Sequence, residues 1–384
     1  MNTTQTVTTS LGVAAVSDTE LTEIVTAAVG RPVRLGDWRV TALPVSSGAI
    51  STESVLRVHG RAFAGGQQLP WTVLVKVLRS PRHWPGIVVV PEPFRQTFID
   101  GYRWQVEAEA LTTHLPAIMP PGMRTPRVYR LDDLGGDRIA LWMEWVDVAA
   151  TPWDRARFRR AARLLGRLAA RRTGSALTRE PTADLRSGLR ELAAGPLAMR
   201  YLPMLSDSTL CSVWQPSADP LLRHDLIELA AQIPAMLDRL AALPQAIGHG
   251  DACPQNLLIP ANASNAVVAI DFSWQHPEAI GFDLGQLMVG LAHAGDLSAD
   301  ELPALHDDVL VAFAQGLRAD GCDLDIDDVR YGFDASMVIR SAFTSLPWDQ
   351  LLDQNGPEFA NHLAKRVTLT RYLADIGLAL PSGM

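Results

Sequence analysis

Short apolar runs dominate the first third of the chain and predict a small β-sheet. WRVTAL, SVLRVHG and TVLVKVL are typical of strands, and RVYRLDD followed by RIALWMEWVD predicts a β-hairpin. Ahead of these runs, Ser17 and Glu20 form a capping box before LTEIVTAAV, and Gly30 follows that segment. This region therefore predicts one helix followed by a sheet.

The pattern becomes helical after Thr151. DRARFRRAARLLGRLAARR places apolar residues on one face, and its arginines are interpreted as a solvated face. Further helices are predicted in LRELAAGPLAMRYL, in HDLIELAAQIPAMLDRLAAL and from Asp283 to about Leu378, whereas SDSTLCSVWQPSADP is predicted to be a loop. Two short strands, residues 257–259 and 267–270, are predicted on either side of the turn PANASN.

These patterns predict an α+β protein with two lobes. We expect a disordered polar tail over residues 1–16, a small N-terminal β-sheet lobe over 17–147 and a larger, mainly helical C-terminal lobe over 148–384. A chain of 384 residues is long enough to bury a core in each lobe.

Composition narrows the class of protein. A net charge of -8 argues against nucleic acid as the main partner, and the lack of an apolar run of about 18 residues argues against a membrane span. The three cysteines are odd in number and scattered, which predicts a reducing, cytoplasmic location without disulfides. The sequence leaves open whether the protein is a monomer or a dimer.

The chemistry is concentrated in HGDACPQNLLIP and VVAIDFSWQHPEAIGFDL. Asp251 precedes Asn256 by five residues, and Asp271 follows Asn256 after fifteen more. An amide oxygen and a carboxylate are ligands of the kind that magnesium takes together with phosphate oxygens. Asp251 is placed to receive a proton from a substrate hydroxyl, so the segment has the minimum set of groups for phosphoryl transfer.

The pattern H-G-D-x-x-x-x-N followed by I-D-F resembles the catalytic and metal loops of the protein-kinase-like fold, in particular the aminoglycoside phosphotransferase and choline kinase family. Gly250 stands where protein kinases usually carry arginine, and only eleven residues separate Asp271 from Asp283. There is no room for an activation loop, so the resemblance, which covers roughly residues 33–375, is to small-molecule kinases. It implies a bilobal kinase that uses ATP or GTP and Mg²⁺.

The resemblance also assigns roles. Asp251 orients or deprotonates the attacking hydroxyl, Asn256 and Asp271 bind magnesium, and Asp283 anchors the catalytic loop. His249 is expected to brace this loop by hydrogen bonds. Trp274 and Gln275 follow the metal loop, where they either contact the substrate or only line the lobe. Cys253, inside the loop, has a minor alternative role as a nucleophile.

Lysine usage singles out one residue of the N-terminal lobe. Of 34 basic residues only Lys76 and Lys365 are lysines, and Lys76 lies within the apolar run WTVLVKVL. Kinases need a compact ammonium there to hold nucleotide phosphates, paired with a helix glutamate. Glu107 is the preferred partner and Glu109 the competitor. The Pro-rich insertion at residues 80–96 is either a flap over the nucleotide or a surface loop.

Further nucleotide contacts are implied by position in the family pattern. The loop PVSSGAISTES stands where such enzymes cover the nucleotide, although it lacks G-x-G-x-x-G; its candidates are Ser46, Ser47 and Gly48, and an ordinary hairpin turn is the alternative. The hinge is expected at residues 143–146. Backbone groups of Glu144 and Val146 would pair with adenine, and Met143 would shape the back of the pocket.

The acceptor is indicated only by charge. Residues 296–353 contain thirteen acidic residues and three arginines, a charge of -10. In related enzymes the C-terminal helices form the acceptor pocket, and an acidic wall would attract a cationic acceptor; solubilising acidic helices are the alternative. The candidates near this pocket are Trp348, Asp349 and Asp353, with Trp153 and Trp214 as further aromatic candidates.

The leading hypothesis is transfer of the γ-phosphate of a nucleoside triphosphate to a hydroxyl of an antibiotic or amino sugar, which would confer antibiotic resistance. A metabolic kinase of a sugar or of an amino alcohol such as choline is the alternative within the same fold. A nucleotide-binding pseudokinase that acts as a regulator is a different class, and no catalytic group is missing that would favour it.

Overall fold

The computed structural model describes residues 11–46, 48–173, 188–263 and 265–381. The chain divides into two compact units. The first unit comprises Met1–Met119, Arg124–Ala149 and Pro260–Ser273, and the second comprises Pro120–Met123, Ala150–Ile259 and Trp274–Met384. The segment Pro260–Ser273, which carries Asp271, therefore belongs to the first unit and not to the predicted C-terminal lobe.

A five-stranded antiparallel sheet forms the centre of the first unit. Val73, Val75 and Val77 alternate along its central strand and are fully buried. Lys76 lies opposite Val55 on one neighbouring strand and Leu141 on the other. In spatial order the strands are Arg34–Leu43, Thr52–Ala64, Gln67–Arg79, Arg138–Glu144 and Val128–Asp133.

The predicted N-terminal helix is present as Asp18–Val29 and packs on this sheet. The Ser17 side chain accepts a hydrogen bond from the Glu20 backbone N–H, and Gly30 ends the helix in a left-handed conformation at φ 79°. Residues 11–16 differ from the disordered tail that the sequence predicts, because Leu11 and Ala14 are buried in the same core.

Two separate helices, Glu92–Gly101 and Val106–Thr112, lie in the segment around Glu107. One helix ends at Gly101, the chain is extended at Tyr102, and a new helix begins at Val106. The insertion forms short turns in which Val88 and Val89 are exposed. The remaining elements of this region are the 3₁₀ turns Pro81–His83 and Pro85–Val89, the helices Glu92–Gly101, Val106–Thr112 and Leu115–Ile118, and the strands Met123–Arg124 and Val267–Ala269.

The second unit is mainly helical. Its strands Gln245–Ile247 and Pro277–Ala279 pair antiparallel, and Leu257–Leu258 is a further short strand. Asp207 caps a helix where a loop was predicted, because its carboxylate accepts from two backbone N–H groups of the first turn. The helices are Arg155–Arg171, Gly188–Leu192, Leu202–Met204, Ser208–Trp214, Leu222–Ala242, Phe282–Ala294, Leu302–Ala319, Ile326–Ser341 and Pro357–Ala379, with a π-helix at Ala193–Tyr201 and 3₁₀ turns at Gln215–Ser217, Pro254–Asn256 and Ala299–Glu301.

The predicted fold class is confirmed: an antiparallel β-sheet unit is combined with a larger, mainly helical unit. Within the described ranges, no helix combines the length and the apolar composition needed to cross a membrane. All three cysteines, Cys211, Cys253 and Cys322, are free thiols.

Candidate active site

Lys76 is buried in the first unit beside two carboxylates. Its Nζ lies 2.6 Å from Glu107 Oε2 and 3.3 Å from Asp271 Oδ1. Burial by itself would lower the pKa of this lysine, but the two carboxylates outweigh burial and raise the pKa above its ordinary value. Lys76 is therefore a charged ammonium in a nearly closed environment.

The structure places Glu107, and not Glu109, next to Lys76. Glu107 is almost fully buried in the first turn of its helix. Glu109 points elsewhere and pairs with Arg103 at 3.1 Å, with 43% of its side chain exposed. Of the two glutamates considered, only Glu107 can orient the ammonium.

Asp271 has an unusual backbone conformation for a residue with a side chain. Its φ of 61° lies in the left-handed region, which non-glycine residues rarely adopt. The Ser273 hydroxyl donates to Asp271 Oδ1 at 2.8 Å, and 38% of the Asp271 side chain is exposed. Backbone conformations of this kind are concentrated at functional sites, so Asp271 is a candidate functional residue.

The loop that is predicted to cover the nucleotide connects the strands Arg34–Leu43 and Thr52–Ala64. Ser46 and Gly48 are exposed, and the Gly48 N–H donates to the Ser46 hydroxyl at 3.2 Å. Ser47 lies outside the described residues. Binding of phosphates by this loop stays a prediction.

The expected hinge follows the strand that ends at Glu144. Met143 is buried, and Val146 lies in the irregular segment after the strand. The Glu144 N–H already donates to the Arg127 carbonyl at 2.8 Å, and its carboxylate forms two hydrogen bonds with Arg124, at 2.6 and 2.7 Å. The N–H of Glu144 is thus not available for adenine, and only its carbonyl can serve the predicted contact.

The predicted catalytic loop, residues 249–256, lies in the second unit. Asn256 Nδ2 donates to the Asp251 carbonyl at 2.9 Å and to Asp251 Oδ2 at 3.0 Å. Because the amide nitrogen is used in this way, the amide oxygen of Asn256 is the atom left to act as a metal ligand. An amide oxygen is a donor of the kind that magnesium takes, and the binding of a metal by Asn256 stays a prediction.

Asp283 holds the loop by its backbone. Its carboxylate accepts from the His249 N–H at 2.7 Å and from the Gly250 N–H at 2.8 Å. His249 is fully buried, and its Nδ1 accepts from the Asp251 N–H at 3.2 Å. Asp283 and His249 thus both contact the backbone of this loop, and the supporting roles expected for them stay predictions.

An arginine that the motifs do not mark completes the loop. Arg340 Nη2 donates to Asp251 Oδ1 at 2.8 Å, and its Nη1 donates to the Gly250 carbonyl. Its guanidinium lies 4.6 Å from the centroid of the Trp274 ring. The sequence carries no local signal for this contact, since 89 residues separate Arg340 from Asp251.

Gln275 lies inside the second unit. It is 5% exposed, and its Oε1 accepts from Arg172 Nη2 at 2.7 Å. Arg172 is fully buried and also donates to the Gly248 carbonyl at 3.0 Å. The structure thus favours a lining role for Gln275. The interpretation that the arginines of the segment DRARFRRAARLLGRLAARR are solvated is wrong for Arg172, because this arginine is fully buried.

The aromatic substrate candidates behave differently from the expectation. Trp348 is 5% exposed, its Nε1 donates to the Phe343 carbonyl at 2.8 Å, and its ring packs edge-on against that of the fully buried Trp214. These two rings belong to the core and are not available to stack on an acceptor. Asp349 and Asp353 are both exposed, and Asp349 pairs with Arg200.

Four of the thirteen acidic residues in this stretch are hydrogen-bonded to arginines as follows. The pairs are Asp307 with Arg330, Asp308 with Arg155, Asp320 with Arg167 and Arg171, and Asp349 with Arg200. Part of the charge of -10 within residues 296–353 is offset by arginines from outside this stretch, namely Arg155, Arg167, Arg171 and Arg200.

Cys253 does not have the environment of a nucleophile. Burial, reinforced by the nearby Asp251 carboxylate, raises the pKa of its thiol to about 12. The thiolate is the reactive form of cysteine, so the minor alternative of a nucleophilic Cys253 loses support.

Comparison with known proteins gives a likeness in structure only. No protein-family model matches the chain, and no curated protein sequence matches it significantly. Among solved structures, APH(2")-IIia in complex with GDP and kanamycin has a TM-score of 0.49 and 11% identity, covering 92% of this chain and 97% of that one.

Two other similar structures are of the same kind. The aminoglycoside phosphotransferase APH(3'')-Id from Streptomyces rimosus, with ADP and streptomycin, has a TM-score of 0.43 and 16% identity over 84% of this chain and 98% of that one. The amicoumacin kinase hAmiN, with AMP-PNP, Ca²⁺ and Ami, has a TM-score of 0.45 and 12% identity over 89% of each chain. With identities of 16%, 11% and 12%, these three resemblances concern the fold alone.

Proposed function

We propose that this protein is a small-molecule kinase that transfers the γ-phosphoryl group of ATP or GTP to a hydroxyl of its acceptor. The observation that carries the proposal is Lys76, a buried ammonium between Glu107 and Asp271. A compact cation oriented by a glutamate is the group that holds nucleotide phosphates in this chemistry. Burying such a cation is costly, so a fold keeps one where a strong anion binds.

The remaining groups supply the other requirements of the reaction. The acceptor oxygen forms a bond to the γ-phosphorus while the bond from that phosphorus to the β,γ-bridging oxygen breaks. Asp251 takes the hydroxyl proton, and the nucleoside diphosphate leaves. Asn256 and Asp271 would hold magnesium, which when bound neutralises charge on the phosphate oxygens.

For the acceptor we propose a hydroxylated antibiotic or amino sugar, with choline or a similar amino alcohol as the alternative. Exposed carboxylates such as Asp353 favour a cationic acceptor, although the arginine pairs described above limit this attraction. A cytoplasmic location, where ATP and GTP are available, is consistent with three free thiols.

The test is acceptor-dependent release of nucleoside diphosphate. The protein would be incubated with Mg²⁺ and ATP or GTP together with kanamycin, streptomycin, amicoumacin or choline, and the acceptor would be analysed for phosphate by mass spectrometry. We expect one acceptor to be phosphorylated and the Asp251→Asn variant to lose this product. Tight nucleotide binding without any phosphorylated acceptor would favour the pseudokinase hypothesis instead.

A further inference from the structure

Arg340 contacts the catalytic loop from a distant helix, Ile326–Ser341. It donates to Asp251 Oδ1 at 2.8 Å and to the Gly250 carbonyl, while its side chain remains only 14% exposed. The guanidinium lies over the ring of Trp274, and the ring centroid of Phe282 is 5.5 Å away. Four different groups thus fix one planar cation against the residue proposed to receive the proton.

Position 250 of the loop cannot provide this cation. Gly250 occupies the position at which protein kinases carry arginine, and it has a φ of 88°. A Cβ at this glycine would lie 1.9 Å from the Trp274 carbonyl oxygen, a distance that no side chain can adopt. A cation beside Asp251 therefore cannot come from position 250, and the helix Ile326–Ser341 supplies one in Arg340.

The contacts of Asp251 divide its two carboxylate oxygens between different partners. Oδ1 accepts from Arg340 and Oδ2 accepts from the amide of Asn256 at 3.0 Å. Two donors on opposite oxygens fix the plane of the carboxylate. A guanidinium can bridge this carboxylate and the Gly250 carbonyl at once because its donors are coplanar, which an ammonium cannot reproduce.

We propose that Arg340 is a positioning residue that sets the Asp251 carboxylate for the acceptor hydroxyl, in place of a cation from the loop. This inference rests on the proposed kinase function. Arg340 acts through Asp251 and the loop backbone, and a misplacement of a reacting group by about 1 Å is enough to reduce turnover by about 100-fold.

The test compares Arg340→Ala and Arg340→Lys with Arg330→Ala. Arg330 is a matched control because it lies on the same helix in an exposed pair with Asp307. With Mg-ATP and the most rapidly phosphorylated of kanamycin, streptomycin, amicoumacin and choline, Arg340→Ala should lower kcat by about 100-fold or more with nucleotide KM almost unchanged. The kcat of Arg340→Lys should remain well below that of the wild-type protein, whereas the kcat of Arg330→Ala should equal the wild-type value.

Two further measurements separate positioning from general stability. Millimolar guanidinium should restore part of the kcat of Arg340→Ala and leave Arg330→Ala unchanged. In a double-mutant cycle, Asp251→Asn combined with Arg340→Ala should be no slower than Asp251→Asn alone, because both changes remove the same function. Additive losses, or a kcat for Arg340→Ala close to that of wild type, would overturn the proposal.

A separate readout distinguishes failure of this inference from failure of the kinase proposal. If the wild-type protein phosphorylates none of the four acceptors, the kinase proposal fails, and amide hydrogen exchange over residues 248–256 still tests Arg340. Exchange in this loop should be at least about tenfold faster in Arg340→Ala than in Arg330→Ala. If Arg340→Ala does not fold, Arg340→Lys takes its place in this comparison. Equal exchange in variant and control would overturn the positioning role.

Discussion

Lys76 Nζ lies between Glu107 Oε2, at 2.6 Å, and Asp271 Oδ1, at 3.3 Å. One ammonium thus serves two carboxylates that have different exposure: Glu107 is closed off, whereas Asp271 is open to solvent. The buried partner fixes the lysine, and the open partner keeps a carboxylate edge for another ligand.

The first prediction concerns the type of cation at this position. Lys76→Arg should lower kcat/KM for the nucleotide by at least about tenfold, equivalent to about 1.4 kcal/mol of transition-state stabilisation. The guanidinium is larger and planar, and it cannot occupy the space between Glu107 and Asp271 in the same way. Steady-state kinetics would measure the effect, with Lys365→Arg, at an exposed position, as the matched control. Equal kcat/KM in the two variants would show that the ammonium is not required.

The second prediction separates the two glutamates of one helix. Glu107→Gln should lower the free energy of unfolding by about 3 kcal/mol, since removal of one partner leaves a buried charge poorly compensated. Glu109→Gln should change it by less than about 1 kcal/mol, because the Glu109–Arg103 pair is exposed. Chemical denaturation would provide both values. A similar loss in both variants would contradict the special role of Glu107.

The third prediction concerns the proton acceptor. Asp251→Asn should reduce kcat by about 100- to 10,000-fold while leaving the dissociation constant of the nucleotide nearly unchanged. The substitution preserves size and removes only the basic oxygen. Single-turnover rates and nucleotide titration would separate the two effects. Retention of more than half of the wild-type kcat would exclude Asp251 as the acceptor of the proton.

The fourth prediction is a pH dependence of stability from His293. Burial, and then the nearby Arg366, lower the pKa of this histidine from 6.5 to about 4, and its Nε2 has no hydrogen-bond partner within the described part of the chain. The unfolded chain therefore binds a proton between pH 6.5 and 4 that the folded protein does not. Stability is fully present above pH 6.5 and falls with decreasing pH, by up to about 3 kcal/mol.

His293→Gln should flatten this acid-side slope, as measured by denaturation at several pH values. His224→Gln, at a position where 75% of the side chain is exposed, is the matched control and should keep the wild-type slope. An unchanged slope in His293→Gln would assign the acid sensitivity to other groups.

The fifth prediction tests the charge of the acceptor. If a cation binds near the exposed carboxylates, acceptor KM should rise between low and physiological salt, where the Debye length falls to about 8 Å. Asp353→Asn should raise acceptor KM more than nucleotide KM. The same change at Asp349 should have a smaller effect, because Arg200 already neutralises that carboxylate. A neutral best acceptor with a salt-independent KM would show that these carboxylates only solvate the surface.

Local patterns predicted the groups that lie close together in the chain. The capping box at Ser17, the strand around Lys76 and the loop from His249 to Asn256 depend on neighbouring residues, so their elements could be read from spacing alone. The pair of Lys76 with Glu107, 31 residues apart, was accessible because lysine is rare in this sequence and helical spacing limited the choice of glutamate.

Long-range packing explains what sequence reasoning missed. Arg340 and Arg172 carry the same side chain as many solvated arginines, and only tertiary structure brings them to the loop. The sequence makes Trp348 a candidate for stacking on an acceptor because its ring is large and apolar. The same apolar ring also favours burial in the core, which is where the structure places it. The Ser208–Trp214 helix is flanked by residues typical of loops, so the sequence pattern predicts a loop there. The Asp207 carboxylate stabilises the helix by accepting hydrogen bonds from its first turn.

The unequal burial of the two lysines gives the protein a built-in chemical reporter. An amine-acylating reagent can reach the exposed Lys365 in the native state, whereas Lys76, 7% exposed, becomes reactive only when the first unit opens. The acylation rate of Lys76 divided by that of Lys365, measured by peptide mass spectrometry, therefore reports how often that unit opens. A nucleotide that binds at Lys76 and shields its amine would lower this ratio before any product is formed.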